Sequence, residues 1–409
     1  MTEEAEFVRP EHVPEELVID YDISVQAGVD RCPFEANAKV HDLPDIFFVA
    51  GSAARRGASW VISSRELALE AYAKADIFSS NNATGFLRIL GKDMDLIPVE
   101  IDPPLHALYR RILNPVFTPA ALSPLEGELR GRAREMIQGI LNQDRFEFET
   151  SFGRPYPVSI FLDLMRLPIE KLEEFVEWEE LLLHGKDMED VSRGAQHIFD
   201  YLAEIIPQRK EDLGDDLLSL IITAKVGDRN ITDDEIFAMS FLIFFGGLDT
   251  VAATINFIFK HLAENPQVQQ QLRDDPTLIP NAVEEFLRAF AVVNSPRVVK
   301  QDVEFHGVQM KAGDRVTILS ALAGRDPDWI DNPEVVDVTR GRLRHLAFGS
   351  GPHTCAGANL ARRELRIAIE EWMKLAPAFK IDPDDRAITS AHGVFSVKRL
   401  PLVWDVDAR

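Results

Sequence analysis

A mainly α fold with small β-sheets, built as one domain over residues 1–409, is what the patterning of this chain predicts. Three observations carry the prediction. Apolar residues recur at helical spacing almost without interruption from Pro104 to Ala291. Strand-like runs are confined to two regions, one near each end. No repeat, low-complexity segment or linker divides the chain.

Residues 1 to about 40 are acidic and interrupted by prolines, which predicts an extended lead-in on the surface. Ile46-Phe47-Phe48-Val49 and Trp60-Val61-Ile62 flank a Gly/Arg/Ser-rich turn and read as a hairpin. Arg65 to Ala75 is a short amphipathic helix. Ile77 to Glu100 carries Asn81-Asn82, Gly85, Gly91 and Pro98, and a loop of this length inside a compact domain is usually functional. Pro103-Pro104 open a helix through Phe117, since proline is tolerated in a first turn. Further helical patterns cover Ala120 to Leu141, Val158 to Met165, Ile169 to Leu183, Val191 to Gln208 and Asp215 to Ala224. Thr232-Asp233-Asp234-Glu235 is an N-cap signature that starts the longest pattern, running to about Ala263. Pro266 to Arg273 and Ile279 to Ala291 follow as helices. Arg297 to Phe305 and Gln309 to Val316 read as two strands around Gly307, and Asp326 to Leu346 as an irregular segment. Ala358 to Leu375 is a helix, and short strands close the chain at Phe379 to Ile381 and Leu400 to Val406.

A formal net charge of −23 argues against nucleic acid and against an anionic membrane surface. Two cysteines, Cys32 and Cys355, form no framework and are too few for an iron–sulfur cluster. The start, Met1-Thr2-Glu3-Glu4-Ala5-Glu6, is acidic, unlike a secretory or transit segment. The longest apolar run, Ile236 to Leu248, falls short of the roughly 20 residues a membrane helix needs. The expectation is a soluble, cytoplasmic protein.

The chemistry centres on Phe348-Gly349-Ser350-Gly351-Pro352-His353-Thr354-Cys355-Ala356-Gly357. A glycine-rich loop delivers a sulfur to the N-terminus of a helix, where free N–H groups and the dipole favour an anion, lower the thiol pKa and hold a thiolate. Such a sulfur is a good axial ligand for haem iron. In the long helix, Gly246-Gly247-Leu248-Asp249-Thr250 places two glycines mid-helix, each costing about 1 kcal/mol against alanine. A flat group lying against the backbone would explain them. Thr250 can bond an upstream carbonyl and open the helix, and Asp249 beside it forms an acid–alcohol pair able to relay protons through water. Glu285-Phe286-Leu287-Arg288 puts an acid and a base on one helix face, as do His106 and Arg110 for two nitrogen-bearing side chains.

These motifs together resemble the cytochrome P-450 family over nearly the whole chain. The loop matches Phe, Gly, any, Gly, any, His or Arg, any, Cys, any, Gly. The distal motif matches Ala/Gly-Gly-any-Asp/Glu-Thr, and the pair matches the structural Glu-x-x-Arg. The resemblance implies the family's triangular prism, with haem b between the long distal helix and the Cys-loop helix. It implies Cys355 as the axial iron ligand and Asp249 and Thr250 as proton-delivering residues. Phe348, Gly349, Gly247, His106, Arg110, Arg297 and His353 would contact haem, the last four of these by meeting its propionates. Glu285 and Arg288 would be structural, with a third partner expected where this chain has Val335. The implied partners are O2, a small apolar substrate, and a [2Fe–2S] ferredoxin with a separate reductase. A patch of Arg110, Arg111, Arg342, Arg344, Arg362 and Arg363 could steer that ferredoxin.

The runs Glu304-Phe305-His306-Gly307-Val308-Gln309, Leu360-Ala361-Arg362-Arg363-Glu364 and Leu400-Pro401-Leu402-Val403-Trp404-Asp405 are similar to the camphor 5-monooxygenase subfamily. Met94 stands where the camphor enzyme has a tyrosine that holds the ketone, and methionine cannot donate that bond. Val99, Leu242, Phe245, Val293 and Phe395 fall at the other substrate-facing positions. An apolar pocket for a monoterpenoid or a norisoprenoid such as an ionone is expected, rather than camphor. Two alternatives are a non-catalytic haem sensor or carrier and a peroxide-driven hydroxylase; the acid–alcohol pair argues against both.

Overall fold

The computed structural model describes residues 7–51, 57–185 and 187–405. The acidic start, residues 52–56 of the first turn, Lys186 and Val406 lie outside the described residues.

The lead-in is irregular apart from single turns, one of them α1 (Pro33–Ala36), which seats Phe34 in the core. The expected hairpin forms from β1 (Ile46–Val49) and β2 (Ser59–Ile62), antiparallel and buried on both faces. After α2 (Arg65–Ala73), the long loop contains β3 (Phe78–Ser79) and one turn, α3 (Phe86–Ile89). Its shape is fixed by Glu100, whose carboxylate accepts from the backbone N–H of Thr84, Gly85 and Leu96. The Pro-Pro helix is shorter than expected: α4 spans Leu105–Leu113.

Helices then dominate: α5 (Pro119–Leu122), α6 (Glu126–Ile140), α7 (Pro155–Met165), α8 (Leu172–His184), α9 (Met188–Glu211) and α10 (Leu217–Ile222), with β4 (Arg145–Glu147) between α6 and α7. Proline at a first turn starts α5 and α7, and Asp187 caps α9 by accepting from the N–H groups of Glu189 and Asp190. A small hairpin, β5 (Lys225–Val226) with β6 (Arg229–Asn230), was not visible as a pattern in the sequence.

The longest helical pattern forms two collinear helices, α11 (Asp233–Gly247) and α12 (Asp249–Glu264). The Thr232–Glu235 capping box is present, a feature worth about 1 kcal/mol. The break falls at Leu248, between the glycine pair and Thr250, whose hydroxyl donates to the Gly246 carbonyl at 3.2 Å. That bond competes with the helical ladder and opens it. By length and composition alone Asp233–Glu264 is able to cross a membrane, which the single-run count did not anticipate. Here it runs through the main core, and α12 is buried on nearly every face.

After α13 (Pro266–Asp274) and α14 (Ile279–Ala289), the two expected strands resolve into four: β7 (Ser295–Val299), β8 (Val303–Phe305), β9 (Val308–Met310) and β10 (Arg315–Ile318). His306 and Gly307, both at positive φ, make the two-residue turn of a separate β8–β9 hairpin. A five-stranded sheet runs β1-β2-β10-β7-β3, with β2 and β10 parallel and the other neighbours antiparallel. α15 (Ala358–Leu375) matches its predicted bounds. The chain closes with β11 (Phe379–Ile381), β12 (Ile388–Ala391), β13 (Phe395–Arg399) and β14 (Pro401–Trp404).

Candidate active site

The Cys355 loop is a tight structure. Gly349 and Gly351 adopt positive φ, and a Cβ on Gly351 would meet the Tyr72 carbonyl at 2.5 Å, so glycine is required there. The Cys355 N–H donates to the Phe348 carbonyl at 2.9 Å, which folds the loop back on itself. The Arg362 guanidinium lies 4.6 Å from the Phe348 ring centre.

The Cys355 residue has solvent-accessible surface, yet its thiol is desolvated like a core group. That combination means it lines an internal space. The expected direction of its pKa is reversed. Burial pushes the Cys355 thiol up, against the Gly357 and Ala358 N–H groups and the Arg110 and Arg362 charges, which pull it down. The helix N-terminus alone does not make a thiolate here; a metal cation displacing the proton would.

Gly246 of α11 is also accessible, and a Cβ there would meet nothing within 4 Å. The neighbouring Gly247 differs: its Cβ would sit 3.4 Å from Phe161, so its smallness serves helix packing. Open space at the helix therefore belongs to Gly246, not to Gly247 as the motif suggested.

Four nitrogen-bearing side chains expected at the propionates are brought together. The His106 and His353 rings lie 4.2 Å apart between centres. Nε2 of each is buried without a hydrogen-bond partner. Arg297 is buried, donates to its neighbour's carbonyl at 2.7 Å, and lies 5.3 Å from the Tyr72 ring centre. Arg110 donates to the Thr354 carbonyl and to the Asn114 side chain. Among the described residues neither Arg110 nor Arg297 forms an ion pair. Burial lowers His106 to about 4 and His353 to about 3, and it lowers Arg297 as well. Stranded donors and desolvated cations around one space fit a dianionic group. With the enclosed sulfur and the open face at Gly246, the residues present fit haem.

Asp249, the first residue of α12, is buried. His184 Nε2 lies 3.0 Å from Asp249 Oδ1. Burial alone would raise the Asp249 carboxyl, but His184 and Arg154 hold it low. His184, Glu179 and Arg154 around this acid carry no motif; the only local hint was acidic residues on a half-buried helix.

The apolar expectations divide. Met94, Leu242, Phe245 and Val293 are partly accessible and pack against the main core, and Val99 is exposed. Phe86 of α3, which sequence reasoning missed, places its ring 4.7 Å from that of Phe245. Phe395 is a correction. It is wholly buried against Phe34, with ring centres 5.3 Å apart, while Val394, one residue earlier and partly accessible, bridges Val293. A one-residue shift in an extended segment moves a side chain to the other face.

Glu285 and Arg288 pair through two 2.8 Å hydrogen bonds, and Arg288 donates further to the carbonyls of Gly324, Pro333 and Val335. The third partner is Arg340, whose Nε lies 3.2 Å from Glu285, not the side chain of Val335, which offers only its carbonyl.

The arginine patch is also corrected in part. Arg362 pairs with Glu284 at 2.6 Å and Arg363 with Glu126 at 3.0 Å. Arg342 is exposed and lies 3.5 Å from the same Glu284, while Arg111 and Arg344 are exposed with no ion pair among the described residues. A groove of about 430 Å³ runs here between α14 and α15, lined by Pro280, Glu284, Arg342, Arg362 and Arg366 among others.

A family model described as Cytochrome P450 matches residues 176–398. A relative named probable cytochrome P450 127A1, from Sinorhizobium fredii, is 34% identical over 97% of this chain and 96% of its own length. Two solved structures, of cytochrome P450 CYP101C1 and of CYP101J2, superpose with TM-scores of 0.88 and 0.85; each is 31% identical and covers 98% of this chain and 100% of the other.

Proposed function

We infer the substrate, the electron donor and the roles of individual residues from one premise: this chain belongs to the cytochrome P450 family and is a haem b-dependent monooxygenase resembling the camphor subfamily. The proposed reaction hydroxylates a small apolar terpenoid, a monoterpenoid or a norisoprenoid such as an ionone. It uses O2 and electrons from a [2Fe–2S] ferredoxin served by a separate reductase, in the cytoplasm.

The observation that carries the substrate class is the lining. Met94, Leu242, Phe245, Val293 and the newly placed Phe86 and Val394 are all apolar. None of these side chains is a strong hydrogen-bond donor, so shape and apolar contact select the substrate. The exposed Arg111 and Arg344 near the Cys355 loop support an acidic electron donor on a chain that is otherwise strongly negative.

When bound, the cofactor supplies the activation of O2 that inserts one oxygen atom into an unactivated C–H bond. Cys355 would hold its iron. His106, Arg110, Arg297 and His353 meet its propionates, and Arg297 gains the anionic partner it lacks. Gly246 leaves open space beside α11 that the cofactor and its substrate would use. Asp249 brings protons from the buried side of α12, and the Thr250 hydroxyl, already turned toward the opened carbonyl of Gly246, orders the path into the cavity. The Phe86–Phe245 pair closes the apolar end and keeps bulk water from the reacting C–H bond.

An optical titration of the ferric holoenzyme with camphor, ionones, cineole, borneol and a fatty acid tests the substrate class. A low-to-high-spin shift with an ionone or monoterpenoid is expected. A shift with the fatty acid alone, or with none of the terpenoids, would overturn it.

A further inference from the structure

Four carboxylates meet in one network beside Asp249: Glu149, Glu179, Glu180 and Asp249 itself. Facing them are Arg154, Lys398 and the His184 imidazole. Arg154 lies 2.5 Å from Glu149, 3.5 Å from Glu179 and 2.5 Å from Glu180, and Lys398 is 3.4 Å from Glu180. The side chains of Glu179 and His184 are each 1% exposed and that of Asp249 is 4% exposed. Two permanent cations do not balance four carboxylates. Even with His184 charged, the cations are one short; Glu180 is partly solvated, but Glu149, Glu179 and Asp249 are enclosed, and burying an unpaired charge is costly. A proton shared within the network relieves that cost.

The geometry says where. Asp249 Oδ1 is taken by His184, but Asp249 Oδ2 and both Glu179 oxygens are buried without a hydrogen-bond partner. One oxygen from each carboxylate lies within 4.8 Å of the other and of His184 Nε2. An O–H on Glu179 aimed at Asp249 would satisfy an orphaned oxygen on each. Burial, with the Asp249 and Glu180 charges, also raises the Glu179 carboxyl well above its ordinary range, against Arg154.

We propose that Glu179 is held as a neutral carboxylic acid and reloads Asp249 with a proton after each delivery, which rests on Asp249 acting as the proton carrier. In the step, the Glu179 O–H bond breaks and an O–H bond forms on Asp249, with no electron transferred. Asp249 passes that proton into the cavity, and the Glu179 carboxylate recovers one from solvent on the side of Glu180, whose side chain is 44% exposed. Glu179 is thus a positioning residue that acts through Asp249. His184 keeps Asp249 turned so that Oδ2 stays free for the exchange.

Infrared difference spectra of the ferric holoenzyme at pH 7 test the protonation directly. Wild type minus Glu179→Gln should contain the C=O stretch of a neutral carboxylic acid, shifting in D2O; no such band would overturn the proposal. Coupled turnover with the panel compound that gives the spin shift tests the reloading. Glu179→Gln should slow product formation about tenfold, enlarge the solvent isotope effect and alter the pH profile, and Glu179→Asp should restore much of the rate. An unchanged rate and isotope effect in Glu179→Gln, with Asp249→Asn slowed, would overturn the reloading step. Wild-type turnover in Asp249→Asn as well would overturn instead the reading of Asp249 on which it rests.

Discussion

Two buried clusters flank the central helix and cavity with opposite charge errors. Around Arg297, nitrogen-bearing side chains outnumber anions: two imidazoles have stranded nitrogens, and the desolvated guanidinium, with Asp102 acting on it, forms no ion pair among the described residues. Around Asp249, carboxylates outnumber cations. A fold that served only its own stability would not carry either, because each costs free energy in the absence of its complement. The first imbalance suits a resident dianion, which would be permanent. The second is matched by protons, which come and go. One cluster is therefore built to hold and the other to exchange.

Substitutions separate the two. The comparison presumes a sulfur on iron between them, so Cys355→Ala should abolish both the thiolate-type band of the reduced carbonyl complex and all oxygenation. Asp249→Asn should keep full haem content while product formation falls about a hundredfold, the range typical of a lost proton-transfer group. Arg297→Leu should do the reverse. Haem affinity, followed by transfer to apomyoglobin, should weaken about tenfold or more through loss of a charge-assisted contact. The haem-free protein should gain about 1 kcal/mol in urea unfolding, because a buried unpaired charge is gone. A destabilised haem-free variant would show that Arg297 is structural.

Thr250→Ala should change substrate binding little and divert reducing equivalents to peroxide, measured as the ratio of product to electrons consumed. The smallest effect concerns stability. The folded pKa of Glu179 lies above its unfolded value, so its contribution is full below about pH 4.3 and is lost as pH rises toward the folded pKa. Glu179→Gln removes that slope. Its melting temperature should match wild type near pH 4 and exceed it near pH 8; a constant offset across the range would contradict a neutral Glu179.

The same contrast marks what the sequence could disclose. Holding sites are partly local: the Cys355 loop is ten contiguous residues, and Glu285 and Arg288 lie one helical turn apart, so both were legible. The exchange network is not local. Glu149, Glu179, His184, Asp249 and Lys398 come from four parts of the chain, and only tertiary packing joins them. Arg340 was missed because the irregular segment before the Cys355 loop has no period with which to set a register. Phe395 was misplaced by one residue because extended chain alternates its faces, so a small alignment error inverts the assignment. The β7 to β10 strands were drawn as two because the His306-Gly307 turn was seen and the break before Val303 was not.

Arg288 fastens three separate carbonyls, those of Gly324, Pro333 and Val335, using only groups of the polypeptide itself. Together with Glu285 and Arg340 it makes a rivet that sets the approach to the Cys355 loop without calling on any cofactor. A change at Pro333 or Val335 that left its carbonyl in place would keep this anchorage, because Arg288 reads the backbone and not the side chains.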